Sequence, residues 1–162
     1  MNVFEFAMQM EKEGEKLYRE IAESTNDPGL KKIFLTLADE EVIHYNTFKS
    51  LFEKSKAKAV ESNVLEKAKN IFTEMKARGD LQISAETSHV DAYKKAMKAE
   101  EEAYTFYEKK AAEATDQEEK DILLTFAREE RRHFRLLENV IEFVSRPDEW
   151  LEDAEFINME EY

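Results

Sequence analysis

The chain is built twice. Displacing the sequence by 89 residues lays positions 7–44 on 96–133 without a gap. Ala7 falls on Ala96, Met8 on Met97, Glu11 on Glu100, Tyr18 on Tyr107 and Asp27 on Asp116. Thr36 falls on Thr125, Ala38 on Ala127, Glu41 on Glu130 and His44 on His133. Within each copy the apolar residues recur at spacings of three and four, the period of one helix face. The first segment carries Phe4, Ala7, Met8, Tyr18, Ile21 and Ala22, the second Leu30, Phe34, Leu37, Phe48 and Leu51. Asn26-Asp27-Pro28-Gly29 separates them, with Asp27 placed to cap and Pro28 to occupy the first helical position. Each copy therefore reads as a helical hairpin.

The hairpins span about residues 3–55 and 88–145, and a weaker amphipathic stretch (Val64, Leu65, Ala68, Ile71, Phe72, Met75) lies between them. This connection, 56–87, is far longer than the roughly 2–8 residues that join neighbouring helices in a bundle, so it reads as a crossover. Ser88-His89-Val90-Asp91 resembles a capping box opening a third helix that runs to about Ala114. Thr115 or Asp116 begins a fourth, with Leu123, Phe126, Leu137, Val140 and Val144 on its apolar face, and Arg146-Pro147 stops it. The fold class expected is all-α: an antiparallel four-helix bundle with an approximate two-fold axis. It fills residues 1–146, and a tail at 147–162 packs on it through a short helix around Trp150 and Leu151. The composition agrees, because 3 Gly and 2 Pro in 162 residues leave little material for turns.

Charge and residue usage narrow the function. A formal net charge of −13 repels phosphate backbones and anionic lipid, which argues against nucleic acid and membrane surfaces as partners. There is no cysteine, so disulfides, zinc fingers, iron–sulfur clusters and thiol catalysis are excluded within these residues. No run of about 18 apolar residues is present to span a bilayer, and the start shows no basic-then-apolar signal; a cytoplasmic protein is expected.

The chemistry lies where the apolar seams are interrupted. The seam of the second helix passes through Leu30, Phe34, Leu37, Glu41, His44, Phe48 and Leu51. The fourth repeats it with Leu123, Phe126, Glu130, His133, Leu137, Val140 and Val144. Glu11 lies between Met8 and Tyr18 on the first helix, and Glu100 between Met97 and Tyr107 on the third. Four carboxylates meeting in one core must be protonated or neutralised, since a buried unpaired ion costs several kcal/mol. No Lys or Arg stands on these stripes near the glutamates. Two divalent cations balance four carboxylates, with two neutral imidazoles completing the donors. Glu and His three apart share a helix face and can reach one ion. Oxygen and imidazole donors without thiolate suit Fe or Mn, with Zn a further possibility. Between the candidate ligands Val42-Ile43 has become Arg131-Arg132, while the ligands themselves are unchanged.

Other residues carry plainer readings. Tyr18 and Tyr107 stand two turns, about 10.5 Å, beyond Glu11 and Glu100. They are either core aromatics whose hydroxyls need a partner or groups that orient a site carboxylate. His89 reads as a surface residue, and Met8 and Met97 as core filler. The runs Glu100-Glu101-Glu102 and Glu129-Glu130 read as solvated faces with one residue of each turned inward.

Glu11-x6-Tyr18 with Glu41-x-x-His44, repeated as Glu100-x6-Tyr107 with Glu130-x-x-His133, resembles the ferritin-like di-iron carboxylate superfamily, and rubrerythrins within it. The resemblance covers about residues 3–145. It implies a ferritin-like bundle holding two Fe ions, with Glu41 and Glu130 bridging, Glu11 paired with His44, and Glu100 with His133. It implies that the Tyr18 and Tyr107 hydroxyls bond to site carboxylates. The implied activity is two-electron reduction of hydrogen peroxide or dioxygen by a homodimer. Rubrerythrins usually carry a further glutamate three residues after the third-helix ligand, where this chain has Ala103. They also often end in a cysteine-ligated rubredoxin domain, so here electrons are expected from a separate protein such as a rubredoxin. Competing readings are a ferroxidase or iron-storage protein, which predicts a hollow assembly, and a structural bundle with an incidental divalent-metal site.

Overall fold

The computed structural model describes residues 3–53 and 89–145. Its elements are α1 (Val3–Ser24), α2 (Pro28–Phe52), α3 (Val90–Glu113) and α4 (Gln117–Ser145). The expected crossover at 56–87 and tail at 147–162 lie outside the described residues. No described helix is long and apolar enough to cross a membrane.

The helix starts follow local chemistry. Asp27 caps α2, its side chain accepting from the Gly29 and Leu30 amides at 2.8 and 3.0 Å, with Pro28 at the first turn. Those amides have no partner inside the helix, so a cap oxygen satisfies them. Asp116 does the same for α4 by accepting from the Glu119 amide at 2.9 Å. The third start differs from expectation. His89 stands at the N-cap of α3 and its side chain makes no capping hydrogen bond, while Ser88 lies outside the described residues. Its ring lies near Tyr93, 6.5 Å away between centroids.

α1 packs along α2 and α3 along α4, two hairpins whose inner faces form one bundle. The core divides into two apolar plugs. One joins Tyr18 and Ile21 of α1, Leu30, Ile33, Phe34 and Leu37 of α2, Tyr93 of α3, and Leu136, Leu137 and Val140 of α4. The other joins Ala7, Phe48, Tyr107, Ala111, Leu123 and Phe126. The sequence repeat exchanges them: Tyr18 corresponds to Tyr107, Ala22 to Ala111, Phe34 to Leu123 and Leu37 to Phe126. That is the two-fold relation expected of a duplicated hairpin. Each fully buried Leu, Ile or Phe contributes about 1.5–3 kcal/mol. Two such plugs can therefore carry a polar layer between them.

Candidate metal centre

The layer between the plugs holds all six residues singled out on the seams. Glu11, Glu41, His44, Glu100, Glu130 and His133 are each at most 4% exposed. One carboxylate comes from α1, one from α3, and a glutamate–histidine pair from each of α2 and α4. The imidazole planes lie nearly parallel, 8° apart, with centroids separated by 5.6 Å.

The donor atoms converge in two overlapping sets. Glu11, Glu41, His44 and Glu130 form one, and Glu41, Glu100, Glu130 and His133 the other; within each, donor atoms lie within 4.8 Å of one another. Glu41 and Glu130 belong to both. Glu130 turns Oε1 toward His44 Nδ1 at 2.8 Å and Oε2 toward His133 Nδ1 at 3.3 Å. His133 Nδ1 is also 3.0 Å from Glu41 Oε1 and 3.3 Å from Glu100 Oε1. Yet His133 Nδ1, Glu41 Oε1 and both oxygens of Glu130 have no hydrogen-bond partner. Atoms this close and this buried, but not aligned as donor and acceptor, point their lone pairs at shared space. Buried polar atoms without partners are rare in folded proteins. A cation in that space satisfies all of them, so the residues present fit a pair of metal ions.

Without cations the crowding is resolved by protons. Burial, followed by the charges of Glu130, Glu11 and Glu100, holds the Glu41 carboxyl well above its ordinary range. Burial and Glu130 push Glu100 up to about 8. Burial alone would also raise Glu130, but the two imidazoles beside it outweigh that and hold it well below the usual carboxylate range. His44 and His133 are opposed by burial and still raised, chiefly by Glu130 and Glu11 for the first and by Glu100 for the second.

Tyr18 and Tyr107 serve both of the roles their positions allow. Each is a buried core aromatic, at 2% and 0% exposure, and each hydroxyl donates to a site carboxylate. The partners are crossed: Tyr18 of α1 donates to Glu100 of α3, and Tyr107 of α3 donates to Glu11 of α1. Tyrosine and glutamate are two turns apart on each helix, so the crossed pairing requires α1 and α3 to run antiparallel. Burial first, and then these carboxylates, raise both phenols well above their ordinary value. They remain protonated and act as donors.

Two further carboxylates, which the seam pattern does not pick out, lie beside this layer. Glu129, expected on the solvated face, is 2% exposed, and its repeat equivalent Glu40 is 5% exposed. Both place an oxygen close to an imidazole nitrogen of His44, whose Nε2 has no hydrogen-bond partner. Arg132 reaches Glu129 Oε1 at 2.5 Å and compensates its charge. The available signal was the identity of Glu40 and Glu129 under the repeat. The substitution of Ile43 by Arg132 matches it, because the arginine supplies the counter-charge in one copy.

A bundle with two hairpins, four inward carboxylates and two inward imidazoles defines a class of carboxylate metalloproteins. The Rubrerythrin family model matches residues 2–141, and the chain belongs to the rubrerythrin family. No curated protein and no solved structure matches it significantly.

Proposed function

We propose that the protein is a non-haem di-iron protein that reduces hydrogen peroxide or dioxygen with electrons from a separate donor. The observation that carries this reading is the sharing of Glu41 and Glu130 between two donor sets of otherwise different residues. Glu11 and His44 would hold one iron, Glu100 and His133 the other, and Glu41 and Glu130 both. When bound, the iron pair supplies two electrons to the oxidant, one from each ferrous ion.

The chain's own residues account for the rest. The apolar plugs keep bulk water from the ends of the layer, and Phe126 stands edge-on to the His44 ring, 4.9 Å between centroids. Tyr18 and Tyr107 restrain Glu100 and Glu11 by hydrogen bonds that cross between the hairpins. Hydrogen bonds to charged acceptors contribute about 1.5–3 kcal/mol each, enough to select one carboxylate rotamer. With no cysteine among its 162 residues, the chain holds no ligand for an iron–sulfur or rubredoxin-type centre, so reducing equivalents reach the site from outside these residues. A rubredoxin is a fitting donor, and a homodimer the expected assembly.

The test is to measure metal per chain after expression with iron, and the optical spectrum on reduction and on adding peroxide. About two irons per chain and a band lost on reduction and restored by peroxide are the expected results. Ferrous protein that ignored both peroxide and dioxygen would refute the redox reading.

Protons and metal compete for the same atoms, which fixes a pH dependence. The carboxyls of Glu41 and Glu100 and the imidazoles of His44 and His133 all have raised values in the folded chain. Stability from a raised group is fully present below its unfolded value and lost as pH rises through its folded value. Those unfolded values are near 4.5 for the carboxyls and 6.5 for the imidazoles, and Glu100 releases its proton near 8. The metal-free protein should thus lose melting temperature from about pH 5 to 9, while the gain from Zn or Mn grows over that window. Glu130, held low, works in the opposite sense only on the acid side. Melting curves with and without metal check this, and a metal-induced gain independent of pH would contradict it.

A further inference from the structure

Among the described residues the donor layer lies between the two apolar plugs and meets a cavity at the surface. A cavity of about 580 Å³ lies between α1 and α3, and its floor is formed by Glu11, Glu41, Glu100 and Glu130. Neither imidazole lines it. Through this cavity the metal positions are reached past the carboxylates, along the α1–α3 seam. Small residues keep that route open: Gly14 from α1, Ala99 and Ala103 from α3.

The size and lining of this cavity are out of proportion to its simplest occupant. Hydrogen peroxide needs about the room of two waters, each about 30 Å³. Cavities of roughly 300–1,000 Å³ with apolar walls and a few polar groups are typical of sites for whole organic molecules. The walls here are Phe6, Met10, Leu17 and Phe106. Phe6 and Phe106 lie 4.7 Å apart between centroids, and Phe6 is 41% exposed, an aromatic surface left at the rim. Lys16 and Lys95 stand at the mouth beside Glu13, Glu20 and Glu102, and together with the carboxylate floor this lining disfavours anions. The chemistry favoured is an uncharged molecule with an apolar body and a polar end that reaches the carboxylate floor.

We propose that the α1–α3 cavity admits organic hydroperoxides, whose alkyl or aryl group occupies the apolar walls while the O–O group meets the metal positions. This rests on the proposed redox function and names its substrate class. In the reaction the O–O bond breaks, and an alcohol and a water form. The two oxygens take up two protons from solvent and two electrons. An iron pair held by these residues would supply the two electrons, and the external donor would replace them.

Two measurements test this. In the first, 2-phenyl-2-propanol, the alcohol formed from cumene hydroperoxide, is titrated into metal-free protein and followed by ligand-detected NMR. In the second, ferrous protein is mixed with cumene hydroperoxide or with hydrogen peroxide, and its oxidation is timed. The alcohol should bind, and the two peroxides should oxidise the protein at rates within about tenfold of each other. Ala99→Phe, on an exposed position of α3, should weaken the alcohol and lower the ratio of cumene to hydrogen peroxide rates by about tenfold or more. Leu17→Phe narrows the opposite wall and should act in the same direction. Oxidation by hydrogen peroxide with no alcohol binding, or with cumene hydroperoxide slower by more than about a hundredfold, would overturn the inference and leave the redox function standing. Protein inert to both peroxides would sink the two together.

Discussion

Glu41→Gln should stabilise the metal-free protein and abolish its stabilisation by metal. The two effects have opposite signs for one reason. In the metal-free chain Glu41 is buried against Glu130, Glu11 and Glu100, and its carboxyl is raised by burial and by all three. The amide keeps the shape, carries no charge and finds acceptors among the remaining carboxylates. Because the folded carboxyl is raised above its unfolded value, the uncharged amide removes the cost of burying it and should raise stability at pH 8. With metal present the balance reverses. Ions at about 100 times their Kd stabilise a folded protein by about 2.7 kcal/mol per site. Glu41 belongs to both donor sets, so its loss should affect both ions, whereas Glu11→Gln touches only the set shared with His44. Denaturant melts with and without Zn, alongside metal counts, measure both signs. A variant that kept about two ions and the full gain would rule out Glu41 as a shared ligand.

What the sequence made legible was the interruption of an apolar pattern. Glu41 and His44 occupy seam positions between Leu37 and Phe48, and a seam position is inward wherever the helix packs. The same rule placed Glu11, Glu100, Glu130 and His133, and the repeat gave the two-fold arrangement that brings them together. What it left open depends on how the hairpins meet. The crossed bonds from Tyr18 to Glu100 and from Tyr107 to Glu11 require the relative direction of α1 and α3, which no periodicity within one helix contains. Glu40 and Glu129 show the limit of a one-dimensional seam. They sit one residue, about 100° of helix rotation, away from Glu41 and Glu130, and a polar residue there reads as solvated. In the bundle that neighbouring face is also covered, and the cost of covering Glu129 is relieved by Arg132 from the next turn. Arg131, adjacent to it, has an outer role: it lies over the Tyr104 ring at 4.1 Å and bonds to Glu108 at 2.8 Å. One arginine of the pair therefore compensates the buried layer from its half-exposed edge, and the other serves the surface.

Gly14 provides the sharper separation of folding from metal binding. It lies inside α1, where replacing glycine by alanine ordinarily stabilises a helix by about 1 kcal/mol. A Cβ at this position would stand 2.8 Å from Glu41 Oε2 and 3.4 Å from its carboxyl carbon. In the metal-free protein the conflict is mild, because the atom that must yield is the tip of a flexible side chain. Gly14→Ala should then show most of the helix gain. Once Glu41 has to hold an ion its tip cannot move aside, and the same methyl group should weaken metal binding by about 10–100-fold, as loss of a ligand's proper placement does elsewhere. The repeat equivalent, Ala103, already carries a Cβ, and its copy of the bridging residue, Glu130, turns one oxygen toward each imidazole. The tight approach is thus particular to Glu41 and α1. Competitive metal titration beside denaturant melts of Gly14→Ala reads both quantities. Higher stability with weaker binding is the expected pair. Higher stability with unchanged affinity would mean that Glu41 holds its ion with the oxygen facing away from α1, leaving Gly14 as room for a side chain and nothing more.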